Sequence, residues 1–119
     1  MEINQFAVFA YLAPGQQRGS WMKGFDLEKH LIETKLIDRA FSLEDEVVKG
    51  WIANPSSYPE EFKGSAIFLW KSTRFSGFFR RAACLYWDDG RVVVDWVWLE
   101  SWWLGCNPAL LASSSPLVT

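Results

Sequence analysis

The chain has little of the material from which metal centres are usually built. It contains one histidine and two cysteines in 119 residues. A single imidazole without a Cys-x-x-Cys spacing supplies too few ligands for a zinc site, so we expect no metal and no cofactor. The histidine, His30, can act as a general base beside a carboxylate. Its place next to Lys29 on an amphipathic segment instead favours an exposed residue without a catalytic role.

Familiar catalytic motifs are missing as well. The sequence contains no Gly-x-Ser-x-Gly elbow, no glycine-rich phosphate loop, no His-Glu-x-x-His pair and no EF-hand loop. We expect Cys84 and Cys106 to be structural thiols, although their spacing leaves a disulfide between them open. A nucleophilic cysteine needs a base and positive charge beside it. The sequence favours a non-enzymatic domain, and an enzyme that uses His30 or Cys84 is the weaker alternative.

Neither a strong charge excess nor a long apolar run is present. The net charge is −2, which argues against a nucleic-acid or acidic-membrane footprint over the whole surface. No apolar run approaches the roughly 20 residues that span a bilayer. Residues 1–15 have an apolar core but lack the basic start of a signal peptide. We therefore expect a cytoplasmic protein with no membrane contact.

Aromatic residues, in contrast, are abundant. Half of the residues are hydrophobic, 17% are aromatic and eight are tryptophans, which excludes a disordered chain. A chain of this length suits one domain that buries about two-thirds of the surface of its unfolded state. We predict a single domain over 1–119, in which residues 107–119 form a C-terminal tail with a frayed end.

Five tryptophans lie between residues 78 and 106, in two β-rich runs joined by an Asp-Asp-Gly turn at 88–90. Asp-Gly between such runs is a strong hairpin signal, because a type I′ turn needs positive φ at both central residues. A two-residue loop places Arg81 opposite Trp98. A three-residue loop with a bulge at its glycine places Arg80 there instead. Both registers bring an arginine across from an indole, within reach of a cation–π contact.

Two further strands and one helix are clearly indicated. Residues 3–12 and 65–72 have the pattern of strands, and the first is apolar on both sides, so we expect it to be buried or central in the sheet. Ser42, with Asp45 three residues later, matches a capping box. That pattern begins a predicted helix over 42–54, which ends at Asn54-Pro55.

The segment 26–41 is ambiguous. Its first half fits a helix, and a strand over 32–41 is the alternative. With the other elements it predicts an α+β domain, in which a curved antiparallel sheet of four to five strands packs on one or two helices. We expect the helices on one face of that sheet.

Asp95 is unusual because it is a carboxylate between valines on an otherwise apolar strand face. It can pair with Arg80 or Arg81, anchor a ligand or lie exposed, and we favour the pairing. The ligand hypothesis is an aromatic pocket for a small apolar or cationic molecule. The candidate lining residues of that pocket are Trp96, Trp98, Asp95, Tyr86 and Arg81.

The number of indoles also suggests an interface, because each buried indole N–H needs a hydrogen-bond partner. If the strand continues, Trp102 and Trp103 point to opposite faces, so at least one is expected at the surface or against another subunit. Exposed aromatic patches usually mark interfaces. The interpretation we favour is an interaction module that forms a homodimer through its tryptophan-rich sheet. The small-molecule pocket is the alternative.

The segment 63–81 combines cations with aromatic residues and contains no acid. Such a mixture can hold single-stranded nucleic acid. The competing interpretation is that the aromatic side chains point inward and the cations pair with the acidic clusters at 44–46 and 60–61. Because the whole chain is acidic, we favour the competing interpretation and expect no nucleic-acid partner.

Three short runs in the last third of the chain share a pattern of composition. They are Leu85-Tyr86-Trp87-Asp88-Asp89-Gly90, Val97-Trp98-Leu99 and Ala109-Leu110-Leu111-Ala112-Ser113. In these runs the chain resembles the short orphan proteins that bacterial mobile (integron) gene cassettes encode. The resemblance implies a bacterial, cytoplasmic, stand-alone domain and assigns no activity and no residue roles.

Overall fold

The predicted hairpin forms one side of a five-stranded sheet. In the computed structural model, which describes residues 8–17, 19–103 and 107–113, seven strands and two α-helices are present. In chain order they are β1 (Val8–Tyr11), β2 (Met22–Lys23), α1 (Gly24–Glu33), α2 (Glu46–Ala53), β3 (Ile67–Ser76), β4 (Phe79–Asp88), β5 (Arg91–Trp98), β6 (Trp102–Trp103) and β7 (Ala109–Ala112). The main sheet has the order β1-β7-β3-β4-β5, and β2 pairs with β6 in a separate two-stranded ladder. All pairs are antiparallel except β3 with β7.

The register of the β4–β5 hairpin follows from its turn. Asp89 and Gly90 both have positive φ, at 51° and 78°, as the two-residue type I′ loop requires. Asp88 therefore lies opposite Arg91, and the pairing continues to Arg81 opposite Trp98. The two-residue register is confirmed, and the three-residue alternative is wrong.

Both helices form near the predicted places. The first half of the ambiguous segment is α1, and its second half is a 3₁₀ turn, Leu36–Arg39, rather than a strand. The predicted helix over 42–54 begins only at Glu46. Its start is delayed because the Asp45 carboxylate accepts the Ser42 N–H at 2.7 Å, which closes a turn before the helix.

The inner strands are buried on both faces. Four consecutive residues are buried in each of β3 (67–70), β4 (82–85) and β7 (109–112). Strand residues alternate between faces, so each strand contributes to two separate clusters. Leu27 and Leu31 of α1 pack in the cluster that contains Cys84, whereas Trp51 of α2 packs in the one that contains Leu85. The helices thus cover opposite faces, and the expectation of helices on one face is wrong.

The two ends of the chain exchange their predicted roles. β1 pairs with β7 alone, is an edge strand and has no fully buried residue, so the prediction of a buried or central strand is wrong. β7, in the segment predicted as a tail, lies between β1 and β3 with all four residues buried. Residues 1–7 and 114–119, which include the predicted frayed end, lie outside the described residues. Among the described residues no helix is both long and apolar enough to cross a membrane.

A wide irregularity in β3 shapes the end of the β3–β4 hairpin. Leu69 pairs with Ala83 and Thr73 with Ala82, so three extra residues of β3 stand between adjacent pairs. These residues hydrogen-bond to the segment before α2, where the Lys71 N–H donates to the carbonyl of Phe41 at 3.0 Å. Beyond the irregularity Arg74 lies opposite Arg81.

Two glycines provide a matched test of helix packing. A Cβ on Gly24 of α1 would lie 2.6 Å from the carbonyl oxygen of Leu99, whereas one on Gly50 of α2 would meet nothing within 4 Å. We predict that Gly24→Ala lowers the free energy of unfolding by about 1–3 kcal/mol through overpacking. Gly50→Ala should raise it by about 0.5–1 kcal/mol, because alanine loses less backbone entropy in a helix. Urea denaturation measures both, and a shift of the same sign in both variants would contradict the close approach of α1 to Leu99.

Candidate functional site

The sheet separates the residues of the predicted pocket. Arg81, Trp96 and Trp98 occupy positions that face the α2 side, because Arg81 pairs with Trp98 and Ala83 with Trp96. Tyr86 and Asp95 belong to the alternate positions and face the α1 side. A single pocket lined by all five residues is therefore not formed.

Two arginines lie over two tryptophans on the α2 side of the sheet. The Arg81 Cζ is 4.0 Å from the centroid of the Trp98 ring, which confirms the predicted cation–π contact. The Arg74 Cζ is 3.9 Å from the centroid of the Trp96 ring. Each contact is worth roughly 0.5–2 kcal/mol. We call these four residues the arginine–tryptophan face.

The cations of this face lack carboxylate partners. Within the described residues neither Arg74 nor Arg81 forms an ion pair, and the buried Nε of Arg81 has no hydrogen-bond partner. Arg80 differs, because its guanidinium donates two hydrogen bonds to the Glu28 carboxylate, at 2.8 and 2.7 Å. The guanidinium groups of the face therefore keep N–H groups available for another acceptor.

Asp95 does not pair with an arginine. Its side chain is exposed, and its Oδ1 accepts the backbone N–H of Trp96 at 2.8 Å. The favoured interpretation of a salt bridge to Arg80 or Arg81 is wrong, and the exposed alternative is the correct one.

A shallow depression adjoins the arginine–tryptophan face. It has a volume of about 320 Å³ and is lined by Phe79, Trp98, Glu100 and Ser101. Phe79 meets Trp98 edge to face, with 5.7 Å between ring centroids. The Oε1 of Glu100 is buried and has no hydrogen-bond partner among the described residues. The depression therefore combines aromatic walls with one unsatisfied carboxylate oxygen.

The turn of the β3–β4 hairpin presents three phenylalanines to solvent. Phe75 is 70% exposed, Phe78 is 95% exposed and Phe79 is 52% exposed. Gly77 carries the positive φ of the turn, at 69°. We call these three side chains the phenylalanine tip. Phe68 and Trp70, earlier in the same segment, are buried as the competing interpretation of the segment 63–81 predicts.

Trp103, a candidate interface residue, belongs to the core. It is 1% exposed, and its ring lies 4.0 Å from that of Phe68 and 4.9 Å from that of Trp70. Its indole Nε1 donates to the carbonyl oxygen of Trp98 at 3.4 Å. The side chain of the other candidate, Trp102, lies outside the described residues. Trp103 therefore cannot supply an exposed contact surface.

The contacts of His30 indicate a structural role. Its Nε2 forms a 2.7 Å hydrogen bond with the Tyr11 hydroxyl, and the two rings stack at 5.9 Å. No ion pair links it to a carboxylate within the described residues, nor do these contain a group of three His, Cys, Asp or Glu side chains that could hold a metal. The geometry offers no support for acid–base catalysis at His30.

Cys84 is a buried free thiol opposite Asp95. Burial, together with the negative charge of Asp95, raises the pKa of the Cys84 thiol to about 12, against the opposing effect of a hydrogen bond with the Asp95 backbone. A thiol with this pKa stays protonated at neutral pH and is a poor nucleophile. Cys106, the partner in the disulfide left open by the sequence, lies outside the described residues.

Comparisons with protein-family models, curated proteins and solved structures found no match. The resemblance to gene-cassette proteins therefore stays a prediction. What emerges from the geometry alone is a surface with unpaired cations and exposed rings at one end of the sheet. Of its residues, Arg74 and Phe79 lie in the segment 63–81 for which the sequence disfavoured a nucleic-acid site, and Glu100 was not predicted as a site residue. The irregularity in β3 that brings Arg74 beside Arg81 has no signal in the sequence.

The Cys84 thiol makes stability depend on alkaline pH. Its pKa rises from 9.0 in the unfolded chain to about 12 in the folded state, so the folded state holds a proton that the unfolded chain loses. This contribution is complete below pH 9.0 and declines as pH rises toward 12. Burial also raises the pKa of Tyr58, which acts in the same direction. We predict that the free energy of unfolding falls across this range and that Cys84→Ala makes the fall shallower.

Urea denaturation at several pH values measures this dependence, with each variant referred to its own stability at neutral pH. In a Cys106→Ser background, the folded protein should also resist thiol labelling at pH 8, whereas the urea-unfolded protein reacts at once. Rapid labelling of the folded protein would contradict the protected state of Cys84.

Proposed function

We propose that the protein is a non-enzymatic interaction module that forms a homodimer through its phenylalanine tip. The observation that carries the proposal is the exposure of three phenylalanines within one hairpin turn, led by Phe78 at 95%. Burying an exposed phenylalanine stabilises a complex by roughly 1.5–3 kcal/mol. The bacterial, cytoplasmic setting that the gene-cassette resemblance implies forms part of this proposal.

A two-fold dimer suits the tip because its contact is self-complementary. The same three rings from each copy meet around one axis, which doubles the apolar area that one tip offers. Phe75 lies opposite Arg80, whose charge is compensated by Glu28, so this side of the tip tolerates burial. Arg74 and Arg81 carry uncompensated charge nearby and repel those of a second copy. Added salt should therefore strengthen the association.

Substitutions at the tip test the dimer. We predict that Phe78→Ser and the double variant Phe75→Ser/Phe78→Ser weaken dimerisation by about a hundredfold or more and about ten-thousandfold or more, because each substitution loses roughly 1.5–3 kcal/mol of apolar burial per ring in both subunits. Light scattering coupled to size-exclusion chromatography over a concentration series measures the effect. Ile32→Ser is the matched control, since Ile32 is an exposed apolar residue on α1, away from the tip. A parent protein that stays monomeric at millimolar concentration would refute the proposal.

A second candidate function rests on the depression beside Trp98. We propose, as the alternative, that it binds a small cationic or apolar ligand. Its volume of about 320 Å³ lies at the lower end of ligand pockets, and Phe79 and Trp98 offer rings to a cation. The unsatisfied Oε1 of Glu100 supplies the anchor that was assigned to Asp95 from the sequence. Asp95 itself faces the opposite side of the sheet.

Neutralising each carboxylate in turn tests whether Glu100 or Asp95 anchors the ligand. We predict that Glu100→Gln weakens binding of a quaternary ammonium or arylammonium compound by about tenfold, because the ligand loses its charged partner. Asp95→Asn should leave the affinity unchanged. Isothermal calorimetry with a panel of such compounds measures both variants. The absence of binding by the parent protein throughout the panel, or an equal loss in Asp95→Asn, would count against the depression as a site.

A further inference from the structure

The fold brings the two arginines of the arginine–tryptophan face close together. Arg74 lies directly opposite Arg81, and like charges in that position destabilise an antiparallel pair. Without the three extra residues of β3, Arg81 would face Lys71, whose amine instead donates to the carbonyl of Asp38 at 3.0 Å. The irregularity thus brings two guanidinium groups together on one face. Their repulsion would be relieved by an anion that contacts both.

The indoles leave these guanidinium groups able to bind an oxyanion. A guanidinium over a ring face keeps N–H donors around its rim, in the fork geometry that matches a phosphate. Contacts of 3.9 Å to Trp96 and 4.0 Å to Trp98 hold both groups in place, which lowers the entropy lost on binding. The buried Nε of Arg81 has no partner among the described residues.

An exposed ring stands beside these phosphate donors. Phe79 and Arg81 are two residues apart on β4 and so face the same side of the sheet. Phe79 is half exposed and is supported edge to face by Trp98. A supported ring with one open face is a platform on which a nucleic-acid base can stack.

From this juxtaposition we infer that the arginine–tryptophan face, with Phe79 beside it, binds single-stranded nucleic acid. Phosphates contact Arg74 and Arg81, and an unpaired base stacks on Phe79. A duplex does not present such a base, because its bases are stacked on each other. The inference shares Phe79 with the proposed dimer but otherwise uses the α2 side of the sheet and neither Phe75 nor Phe78, so the two are separated by a variant that does not dimerise.

The inference reverses part of what the sequence suggests. The expected pairing with acidic clusters occurs for Lys63, which binds Glu60 at 2.8 Å, but not for Arg74 or Arg81. The aromatic residues point inward only as far as Trp70, and those of the tip point outward. The net charge of −2 is a property of the whole chain, whereas this face is locally basic.

Glu100 is a carboxylate that adjoins the face, through the depression it shares with Trp98 and Phe79. Its charge opposes an anion there. The affinity is therefore expected to be modest, and removal of this charge should improve it. Glu100→Gln should therefore weaken the binding of a cationic molecule and tighten the binding of nucleic acid.

Fluorescence anisotropy with a labelled twelve-residue oligo-deoxythymidine tests the inference. We expect binding to weaken with salt, with a slope of log K against log salt near −1.4, since about 0.7 is contributed by each of two phosphate contacts. Arg74→Gln/Arg81→Gln should reduce affinity at least tenfold and bring the slope close to zero. Arg91→Gln, at the exposed turn of the β4–β5 hairpin, is the charge-matched control and should retain most of the affinity.

Further variants test the base contact. Phe79→Ala should reduce affinity about 5- to 100-fold with the salt slope unchanged, because stacking carries no charge. Phe78→Ser, which releases Phe79 from the proposed dimer, should bind at least as tightly as the parent protein. Circular dichroism verifies that each variant is folded, and the single variant Arg74→Gln, at an exposed position, replaces the double variant if that one is unfolded.

Several results would overturn the inference. These are no binding by the parent protein, an equal loss in Arg91→Gln, or equal affinity for a duplex of the same length. Binding of inorganic phosphate or thymidine monophosphate as tightly as the oligonucleotide would assign the face to a free phosphate or nucleotide instead. Absence of oligonucleotide binding in the monomeric Phe78→Ser variant, in a parent protein that dimerises, would reject this inference alone.

Discussion

Both faces of the three inner strands are apolar, and this constraint determines the arrangement of the remaining chain. β3, β4 and β7 each bury four consecutive residues, so neither face of the sheet can be left to water. One helix on each side meets this requirement, with Leu27 and Leu31 on one face and Val48 and Trp51 on the other. The helices are short, with ten and eight residues, and cover only part of the sheet. The far end of the β3–β4 hairpin extends beyond the buried residues.

The uncovered end of the β3–β4 hairpin carries exposed aromatic rings and side-chain donors that have no partner among the described residues. Cations and aromatic rings replace aliphatic packing there, because an arginine lies over each of two indoles. The same residues leave hydrogen-bond donors and ring faces directed to solvent. The two faces of this end differ, since Arg80 is neutralised by Glu28 on the α1 side while Arg74 and Arg81 have no ion pair with any described residue on the α2 side. A surface that is apolar at its tip and basic on one side can serve more than one partner.

Local chemistry in the sequence predicted some features accurately. The register of the β4–β5 hairpin follows from Asp89-Gly90 alone, because a two-residue turn fixes every later pair. The contact of Arg81 with Trp98 follows from that register. Strand alternation also separates Asp95 from Trp96 and Trp98, so the pocket hypothesis combined residues that the sequence already placed on opposite faces.

Features that depend on distant segments were not predictable from the sequence. β7 consists of alanine and leucine, which are not typical strand residues, and it becomes a strand because β1 and β3 bond to its two sides. The irregularity in β3 is held by hydrogen bonds to residues 41–43. The arginine pair depends on it and was therefore missed, as was the burial of Trp103 beneath Phe68 and Trp70.

The hydrogen bond of Asp95 has a consequence for how molecules of this protein meet. The Leu99 N–H donates to the carbonyl oxygen of Arg80. Along β5, residues whose backbone groups bond to β4 therefore alternate with residues whose backbone groups point outward from the open edge of the sheet. Trp96 is one of the latter, and its outward N–H is the group that the Asp95 carboxylate occupies. A strand of another molecule that paired with this open edge of β5 would find the Trp96 N–H already bonded and would meet the negative charge of Asp95. Asp95 therefore disfavours fibril-like growth by strand pairing at this valine-rich edge. Contacts between copies are then made by side chains rather than by a continuous sheet.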